Sequence, residues 1–479
     1  MPNSGSEFSM LPTKFEIKGL FGNRNISIPI EGNSIILVGP NGIGKSSVVN
    51  IFYFFISRQW GRLIEYDFDE VAVWFGEEEV RAAKSDITGL SQISNLIREI
   101  SPSSRMHSLI EKLRAFGMLE DFLTDRKMKM QARQRYSEAL GVSPDDIRHL
   151  QYSLFRRVNA IDDGDLFAKP RIDIEQQLSR HITGRTLYLP TYRRIEKDLR
   201  EISPALEEQF RVSLRENGPF KFSRSSKYYV DLVSFGMDDV RSNVEKRTRA
   251  LRDHSLARFN ELSALYLRDV IRGNADQYSS SQIATLNEDS LSVILGRVSE
   301  HVLSHHDKEL LRSRILGMRS KQKIDMEPID LYLAHYFSRL MDVSSDISEK
   351  ETDISSFVEA CNAYLKPAKQ LVYDDTKFTV TIVDDRGRPL DLSMLSSGEK
   401  QVVSLFSHLY LDEVGGQVVI IDEPELSLSV PWQKRFLQDI LDSNRCQFLV
   451  SVTHSPFIYQ NGLRSSAIDL RKKTTVADR

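Results

Sequence analysis

Two cysteines in 479 residues, Cys361 and Cys446, exclude a disulfide framework, and neither has the spacing of a metal-binding or redox pair. Apolar runs stay far below the ~20 residues needed to cross a bilayer; the longest strongly apolar stretch is Ile51-Phe52-Tyr53-Phe54-Phe55-Ile56. The N-terminus, Met-Pro-Asn-Ser-Gly-Ser-Glu-Phe, lacks the basic and apolar regions of a secretory signal. These absences predict a cytoplasmic protein without a membrane partner. Gly5-Ser6-Glu7-Phe8 reads as a cloning-site scar, with the natural start expected at Met10. Charge of one sign is missing too: 64 Lys and Arg against 67 Asp and Glu leave a net charge of −3, so no global basic field advertises nucleic acid. Internal repeats, low-complexity tracts and sustained a/d heptads are also lacking, and the last of these argues against a long coiled-coil arm.

What remains is ordinary globular composition, 41% hydrophobic and 27% charged, in a chain long enough for two or three domains. One segment stands out. Gly39-Pro-Asn-Gly-Ile-Gly-Lys-Ser46 follows the apolar run Ser34-Ile35-Ile36-Leu37-Val38 and precedes Ser47-Val48-Val49-Asn50-Ile51-Phe52, the strand-loop-helix path of a phosphate-binding loop. Gly39, Gly42 and Gly44 let successive N–H groups turn toward phosphate oxygens, helped by the positive end of the following helix. Lys45 is expected to reach the terminal phosphates and Ser46 to ligate magnesium, an ion that takes one or two protein oxygens and keeps most of its waters. The expected nucleotide-binding set is Gly39, Pro40, Asn41, Gly42, Ile43, Gly44, Lys45, Ser46 and Ser47, and the expected ligand is ATP with Mg2+.

Far downstream, the apolar strand Val418 to Ile421 ends in Asp422-Glu423. Asp422 is placed to hold the magnesium shell, and Glu423 to polarise the attacking water as general base. Pro424-Glu425-Leu426-Ser427 continues that pattern. Leu395-Ser396-Ser397-Gly398-Glu399-Lys400-Gln401 opens a helix, giving a second terminus at which hydroxyls and N–H groups can bind an anion. His454, in Val452-Thr453-His454-Ser455-Pro456-Phe457, follows the next strand-like run, Phe448 to Val452.

Period-two alternation at Phe15, Ile17, Ile26, Ile28 and Ile30 predicts antiparallel strands ahead of the loop. Lys45 and Asp422 are separated by 377 positions, so a large insertion is expected around one internal strand, Thr186-Leu187-Tyr188-Leu189. The expected organisation is 10–80, an N-lobe with the phosphate loop; 81–180, a helical insertion; 181–200, a strand and loop returning to the core; 201–365, a second helical insertion; and 366–479, a C-lobe. Within the second insertion, Leu251, Leu256, Phe259, Leu262, Tyr266 and Val270 have helical spacing. Prolines at 102, 144, 170, 190, 204, 219 and 328 favour compact helical subdomains, with room for one hairpin in the proline-free stretch 220–327. Within 366–479, Phe378 to Val383 is strand-like, and Ser397 to Leu411 and Pro431 to Ser443 are helical.

Basic runs at 126–135, Lys246 to Arg252 and Arg312 to Lys323 could line a groove for nucleic-acid phosphates or form solvated helix flanks. Little aromatic interleaving accompanies them, so single-strand stacking is not indicated. Arg193 and Arg194 either contact phosphate or a partner subunit, or are simply solvated.

Gly39-Pro-Asn-Gly-Ile-Gly-Lys-Ser46, Leu395-Ser-Ser-Gly-Glu-Lys-Gln401, Asp422-Glu-Pro-Glu425 and Thr453-His-Ser-Pro456 together resemble the soluble ABC ATPases of the overcoming-lysogenization-defect (OLD) and SMC-like group. Tyr188-Leu-Pro-Thr-Tyr-Arg-Arg-Ile-Glu196 is similar to the ATPase subunits, called PtuA, of Septu and retron-associated anti-phage systems. The resemblance implies an α/β fold: an ABC-type (P-loop) ATPase head with antiparallel N-lobe strands and large, mostly helical insertions. It implies that Ser396, Ser397, Gly398 and Glu399 face the γ-phosphate held by a second subunit, giving a homodimer or higher even-numbered oligomer with ATP at the interface. It places His454 as a γ-phosphate sensor, grouped with Glu423 as catalytic. It also implies an HNH-type nuclease partner, PtuB-like, whose DNA cleavage the nucleotide state restrains or licenses. Only about 25 residues follow His454, fewer than the Toprim nuclease domain of some relatives, so this subunit is expected to be an ATPase and not itself a nuclease. A DNA-repair ATPase of SMC or RecF type, which would bind DNA directly, and a nucleotide-gated sensor with little turnover remain as alternatives.

Overall fold

A computed structural model describes residues 11–88, 108–110, 112–113, 122, 130–158, 171–190, 228–231, 237–274, 288–296, 303–318, 327–412 and 416–476. Arg193, Arg194 and the rest of 191–196 lie outside the described residues, as do residues 1–10, 126–129 and 319–323. In chain order the strands are β1 (Pro12–Leu20), β2 (Arg24–Pro29), β3 (Ser34–Val38), β4 (Glu70–Phe75), β5 (Glu78–Ala83), β6 (Thr186–Leu189), β7 (Tyr229–Asp231), β8 (Lys369–Asp374), β9 (Thr379–Asp384), β10 (Pro389–Leu390), β11 (Gln417–Asp422), β12 (Cys446–Val452), β13 (Ala467–Asp469) and β14 (Thr474–Val476). They divide between two compact units, Met1–Val233 with Val414–Arg479, and Ser234–Glu413.

The first unit holds two sheets. One has the order β14-β2-β1-β4-β5, and the other the order β13-β3-β12-β11-β6-β7. In the first, β1 and β2 pair antiparallel with Phe15 opposite Ile28 and Ile17 opposite Ile26, so the alternating residues turn one face inward. In the second, β3, β11, β12 and β6 pair parallel, and all six residues of β11 are buried. Continuous apolar runs suit such strands because both faces are covered. The helix Lys45–Ile56 lies against both sheets: Phe52 meets Phe15 of β1 edge-on at 5.0 Å and approaches Phe448 of β12 at 6.2 Å. Truncating so central a ring costs about 3–5 kcal/mol.

Thr186–Leu189 is β6, and it lies directly beside β11 with Leu189 opposite Ile421. Tyr188 fixes it to the first helix, stacking on Tyr53 at 4.3 Å while its hydroxyl donates to Asn50 Oδ1 at 2.6 Å. The insertion therefore returns through a strand that neighbours the one ending in Asp422.

The second unit is built from the sheet β10-β9-β8 and long helices. Helix Asp238–Ile271 runs antiparallel to helix Pro328–Leu365, tied by Arg247 to Asp353 at 2.6 Å, His254 to Asp346 at 2.8 Å and His335 to Asp269 at 3.1 Å. The partner of the long helix lies outside the proline-free stretch 220–327 and starts at Pro328, a residue suited to a first helical turn. The helices Glu288–Gly296 and His305–Met318 lie between the two in sequence. The helical spacing from Leu251 to Val270 does mark a helix, but its buried residues are Val240, Thr248, Leu251, Ser255, Leu262 and Asp269, while Leu256 and Val270 are exposed. Polar residues reach the inner face because they have partners there, as Asp269 has in His335.

Candidate nucleotide-binding site

β3 delivers the chain into the loop 39–44, where Gly39, Gly42 and Gly44 all have positive φ, at 149°, 78° and 100°. Such backbone is open to glycine and strained for other residues. At Gly44 a second constraint applies, since a Cβ there would come within 3.2 Å of the Phe21 ring. Phe21 stands in the turn between β1 and β2, 46% exposed, and Arg24, at the start of β2, donates to the Ile43 carbonyl at 3.3 Å. The N-terminus of helix Lys45–Ile56 has no side-chain cap and no acidic residue in its first turn. Its leading N–H groups and dipole are thus left for an anion.

Lys45 is 5% exposed and its Nζ donates to the carbonyls of Gly39 at 2.9 Å and Pro40 at 3.0 Å. Burial lowers its pKa, against the pull of Glu423, Asp422 and Glu425. Ser46 Oγ donates to Asp422 Oδ1 at 3.3 Å. That brings the loop serine and the aspartate from β11 together, as two oxygens sharing one magnesium would require. Among the described residues no cluster of three His, Cys, Asp or Glu side chains could enclose a metal. A cation between Ser46 and Asp422 would therefore complete its shell with water and phosphate, which is the habit of magnesium.

Glu423 sits just past β11 with φ +51°, a left-handed conformation that is strained for a non-glycine residue. Its N–H is held by the Val452 carbonyl at 2.9 Å. Desolvation raises its pKa, and the charges of Asp422 and Glu425 push the same way, with His454 and Lys45 opposing. A half-buried carboxylate more basic than usual is suited to accepting a proton from water. His454 follows β12 on an exposed corner. Thr453, fully buried, anchors that corner by donating its N–H to the Leu37 carbonyl at 3.2 Å.

The signature segment, Leu395 to Gln401, belongs to the second unit. Ser396 caps the helix Ser397–Leu411 in a reciprocal box: its hydroxyl accepts from Glu399 N at 3.3 Å, and its own N–H donates to Glu399 Oε2 at 2.6 Å. Lys369 Nζ donates to the same carboxylate at 2.7 Å. Ser396 and Ser397 are exposed at the tip, whereas Gly398 and Glu399 are buried. Glu399 thus acts inside its own unit, as a cap. Farther along the helix, His408 is buried between two carboxylates, 3.4 Å from Asp239 and 3.3 Å from Asp412, and 3.2 Å from Asn243. Burial opposes its charge, but the carboxylates prevail and raise its pKa to about 9.

Several residues here went unread in the sequence. Glu425 accepts three hydrogen bonds from 453–455. The only local hint was its place after Asp-Glu-Pro. Lys369 carries no local signal because Glu399 is thirty positions away, and His408 has Asp412 four positions on but needs the distant Asp239 and Asn243 to complete its setting. The basic runs are partly spent on internal contacts: Arg247 pairs with Asp353, Arg252 donates to the Lys377 carbonyl, and Arg314 pairs with Asp330, while Lys246 and Arg249 are exposed.

A family described as "AAA domain, putative AbiEii toxin, Type IV TA system" matches residues 182–459, which is more than half of the chain and includes β6, the signature segment, Asp422-Glu423 and His454. The chain belongs to this family. It is a P-loop ATPase by fold, mixed α/β with an antiparallel sheet and large helical content, and Gly39–Ser46 lies upstream of the matched region. No curated protein matches it in sequence. Among solved structures, an Smc head domain with an extended coiled coil, bound to the C-terminal domain of ScpA, from Pyrococcus furiosus is 14% identical, covering 97% of this chain and 95% of that one with a TM-score of 0.33. An SmcHead bound to the C-winged helix domain of ScpA is 12% identical over 97% of each chain, TM-score 0.33. An Smc head with a coiled coil and joint from Pyrococcus yayanosii is 16% identical over 98% and 96%, TM-score 0.30. Overlap this loose says nothing further about the AAA-domain chain. Among its described residues no helix is long and apolar enough to cross a membrane.

Proposed function

We propose that the chain is an ATP-hydrolysing regulatory subunit of an anti-phage defence complex, controlling an HNH-type nuclease through dimerisation around ATP. The observation that carries the hydrolytic part is the convergence of Ser46 on Asp422 at 3.3 Å beside Lys45 and a Glu423 of raised pKa. In this reading the loop glycines and Lys45 hold the β- and γ-phosphates, Ser46 and Asp422 hold Mg2+, and Glu423 orients water and takes its proton. Bound magnesium would neutralise charge on the phosphates. His454 reads the γ-phosphate. The exposed hydroxyls of Ser396 and Ser397 complete the site of a second copy, so the working form is a dimer or a higher even-numbered oligomer.

The regulatory part rests on the likeness of 188–196 to PtuA subunits, and the family's description as part of a TA system suits a chain that acts with a partner. The test uses the chain co-expressed with the product of the neighbouring reading frame, which this reading expects to be an HNH-type protein. Support would be Mg-dependent ATP hydrolysis, an ATP-trapped dimer in Glu423→Gln, and DNA cleavage that changes with the nucleotide supplied. Absence of hydrolysis with biology intact in Glu423→Gln would favour a sensor. The exposed Lys246 and Arg249 favour a second reading, a repair-type ATPase, which predicts ATP-dependent duplex binding without any nuclease.

A further inference from the structure

The turn after Asp422-Glu423 is made of residues the hydrolytic reading does not use. Ser427 takes φ +72°, and the Leu426 and Leu428 N–H groups fold back onto the carbonyls of Glu423 and Glu425 at 3.2 Å each. This shape turns the Glu425 carboxylate toward the corner after β12. Its Oε2 accepts from Thr453 Oγ1 at 2.8 Å, and its Oε1 accepts from His454 N at 2.7 Å and Ser455 N at 3.2 Å. Three consecutive residues therefore hang on one side chain. The His454 N–H lies beyond the end of the β12 ladder, so without Glu425 that backbone donor would be left to solvent or unpaired, and the Ser455 N–H would keep Thr453 Oγ1 as its acceptor.

A second tie runs alongside. Gln433, in the first turn of helix Val430–Asp442, accepts from Ser455 Oγ at 2.7 Å and donates to the Leu428 carbonyl at 2.9 Å. The Ser455 N–H also points at Thr453 Oγ1, at 2.9 Å. An exposed imidazole on so short a corner would otherwise sample many positions; here the backbone that carries it is fixed on both sides.

We propose that Glu425 is a positioning residue that straps the 453–455 backbone and so holds His454 beside Glu423. Its kinetic consequence rests on the ATPase reading above; the strap itself does not. A carboxylate suits the task because its two oxygens accept all three donors, and charge-assisted bonds to N–H groups are the strong ones. A glutamine keeps one acceptor oxygen for both amides, and its NH2 can donate to the Thr453 hydroxyl once that hydroxyl turns round.

The full chain is tested with Mg-ATP as Glu425→Ala, Glu425→Gln, Gln433→Ala and His454→Ala, and as the Glu425→Ala/His454→Ala pair. Misplacement of one group by about an ångström is worth on the order of 100-fold in rate. Glu425→Ala is therefore expected to lower kcat by about 10- to 100-fold, with KM moved less than about threefold. Glu425→Gln recovers most of the rate, and Gln433→Ala gives a smaller loss in the same direction. In the His454→Ala background Glu425→Ala costs nothing more, because it acts through His454. By hydrogen-exchange mass spectrometry, the amides of 454 and 455 exchange faster in Glu425→Ala and not in Glu425→Gln. Additive losses in the double variant, a failure of glutamine to rescue, or unchanged exchange at 454–455 would each overturn the proposal. Should the parent chain hydrolyse no ATP, the ATPase reading falls alone, and exchange still decides the strap.

Discussion

At the phosphate loop, Lys45 is buried with the Gly39 and Pro40 carbonyls as acceptors and its pKa is pushed down, while Glu423 is held in left-handed backbone with its pKa pushed up. At the signature helix the balance is reversed. Burial alone would raise the Glu399 pKa, yet Lys369 and the Ser396 N–H bring it below its ordinary value, and His408 is secured by Asp239 and Asp412. The first region carries perturbed groups that a polyanion with a cation would relieve. The second settles its charges internally and presents only hydroxyls at its tip. At the loop burial works against the charges of Lys45 and Glu423, whereas at the signature helix paired groups restore the charges of Glu399 and His408.

The sharpest way to break this contrast is Glu423→Gln, which removes a proton acceptor without changing shape. Turnover is expected to fall about 100- to 10,000-fold with ATP binding retained, measured as steady-state hydrolysis beside nucleotide titration. Equal turnover would remove Glu423 from the chemistry. On the other side, His408→Leu leaves two largely, not fully, buried carboxylates without their imidazolium and should destabilise the second unit by about 3 kcal/mol, read from denaturant unfolding. The same network has a pH signature. Because the folded pKa of His408 is raised to about 9 from an ordinary 6.5, its contribution is complete below about pH 6.5 and is lost as pH rises through about 9. Unfolding midpoints of the parent and His408→Leu should therefore converge as pH is taken from 6 to 10. Lys45→Ala removes a cationic hydrogen-bond donor to phosphate and should weaken ATP binding about 10- to 100-fold by calorimetry. Smallest of all, Ser396→Ala deletes a helix cap and should cost about 1 kcal/mol in unfolding, with the nucleotide affinity of an isolated copy unchanged.

The loop, the Asp-Glu strand end and the alternating strands before the loop were readable because each is encoded by neighbouring residues. Gly39–Ser46 announces both its backbone and its helix, and Phe15, Ile17, Ile26 and Ile28 declare a period of two. β13 and β14, three residues each, are too short for any period to register, yet β14 closes the antiparallel sheet by pairing with β2. The partner of helix Asp238–Ile271 was not readable because its choice is written in contacts such as His254 with Asp346, ninety-two positions apart. Its inner face was likewise hidden, since Ser255 and Asp269 occupy core-facing positions that a hydrophobic pattern reads as outward. Glu425 was missed for the same reason, being defined by what it touches across the fold, and His408 because Asp239 joins it from 169 positions away.

The pairing of β6 with β11 has a practical corollary for anyone trimming this protein. Excising the sequence around 186–189 would turn the strand that carries Asp422 into a sheet margin, with a row of N–H and C=O groups and the apolar run Val418 to Ile421 laid bare. Minimised versions should keep Thr186–Leu189 as a splint, or they will clump before they can be assayed.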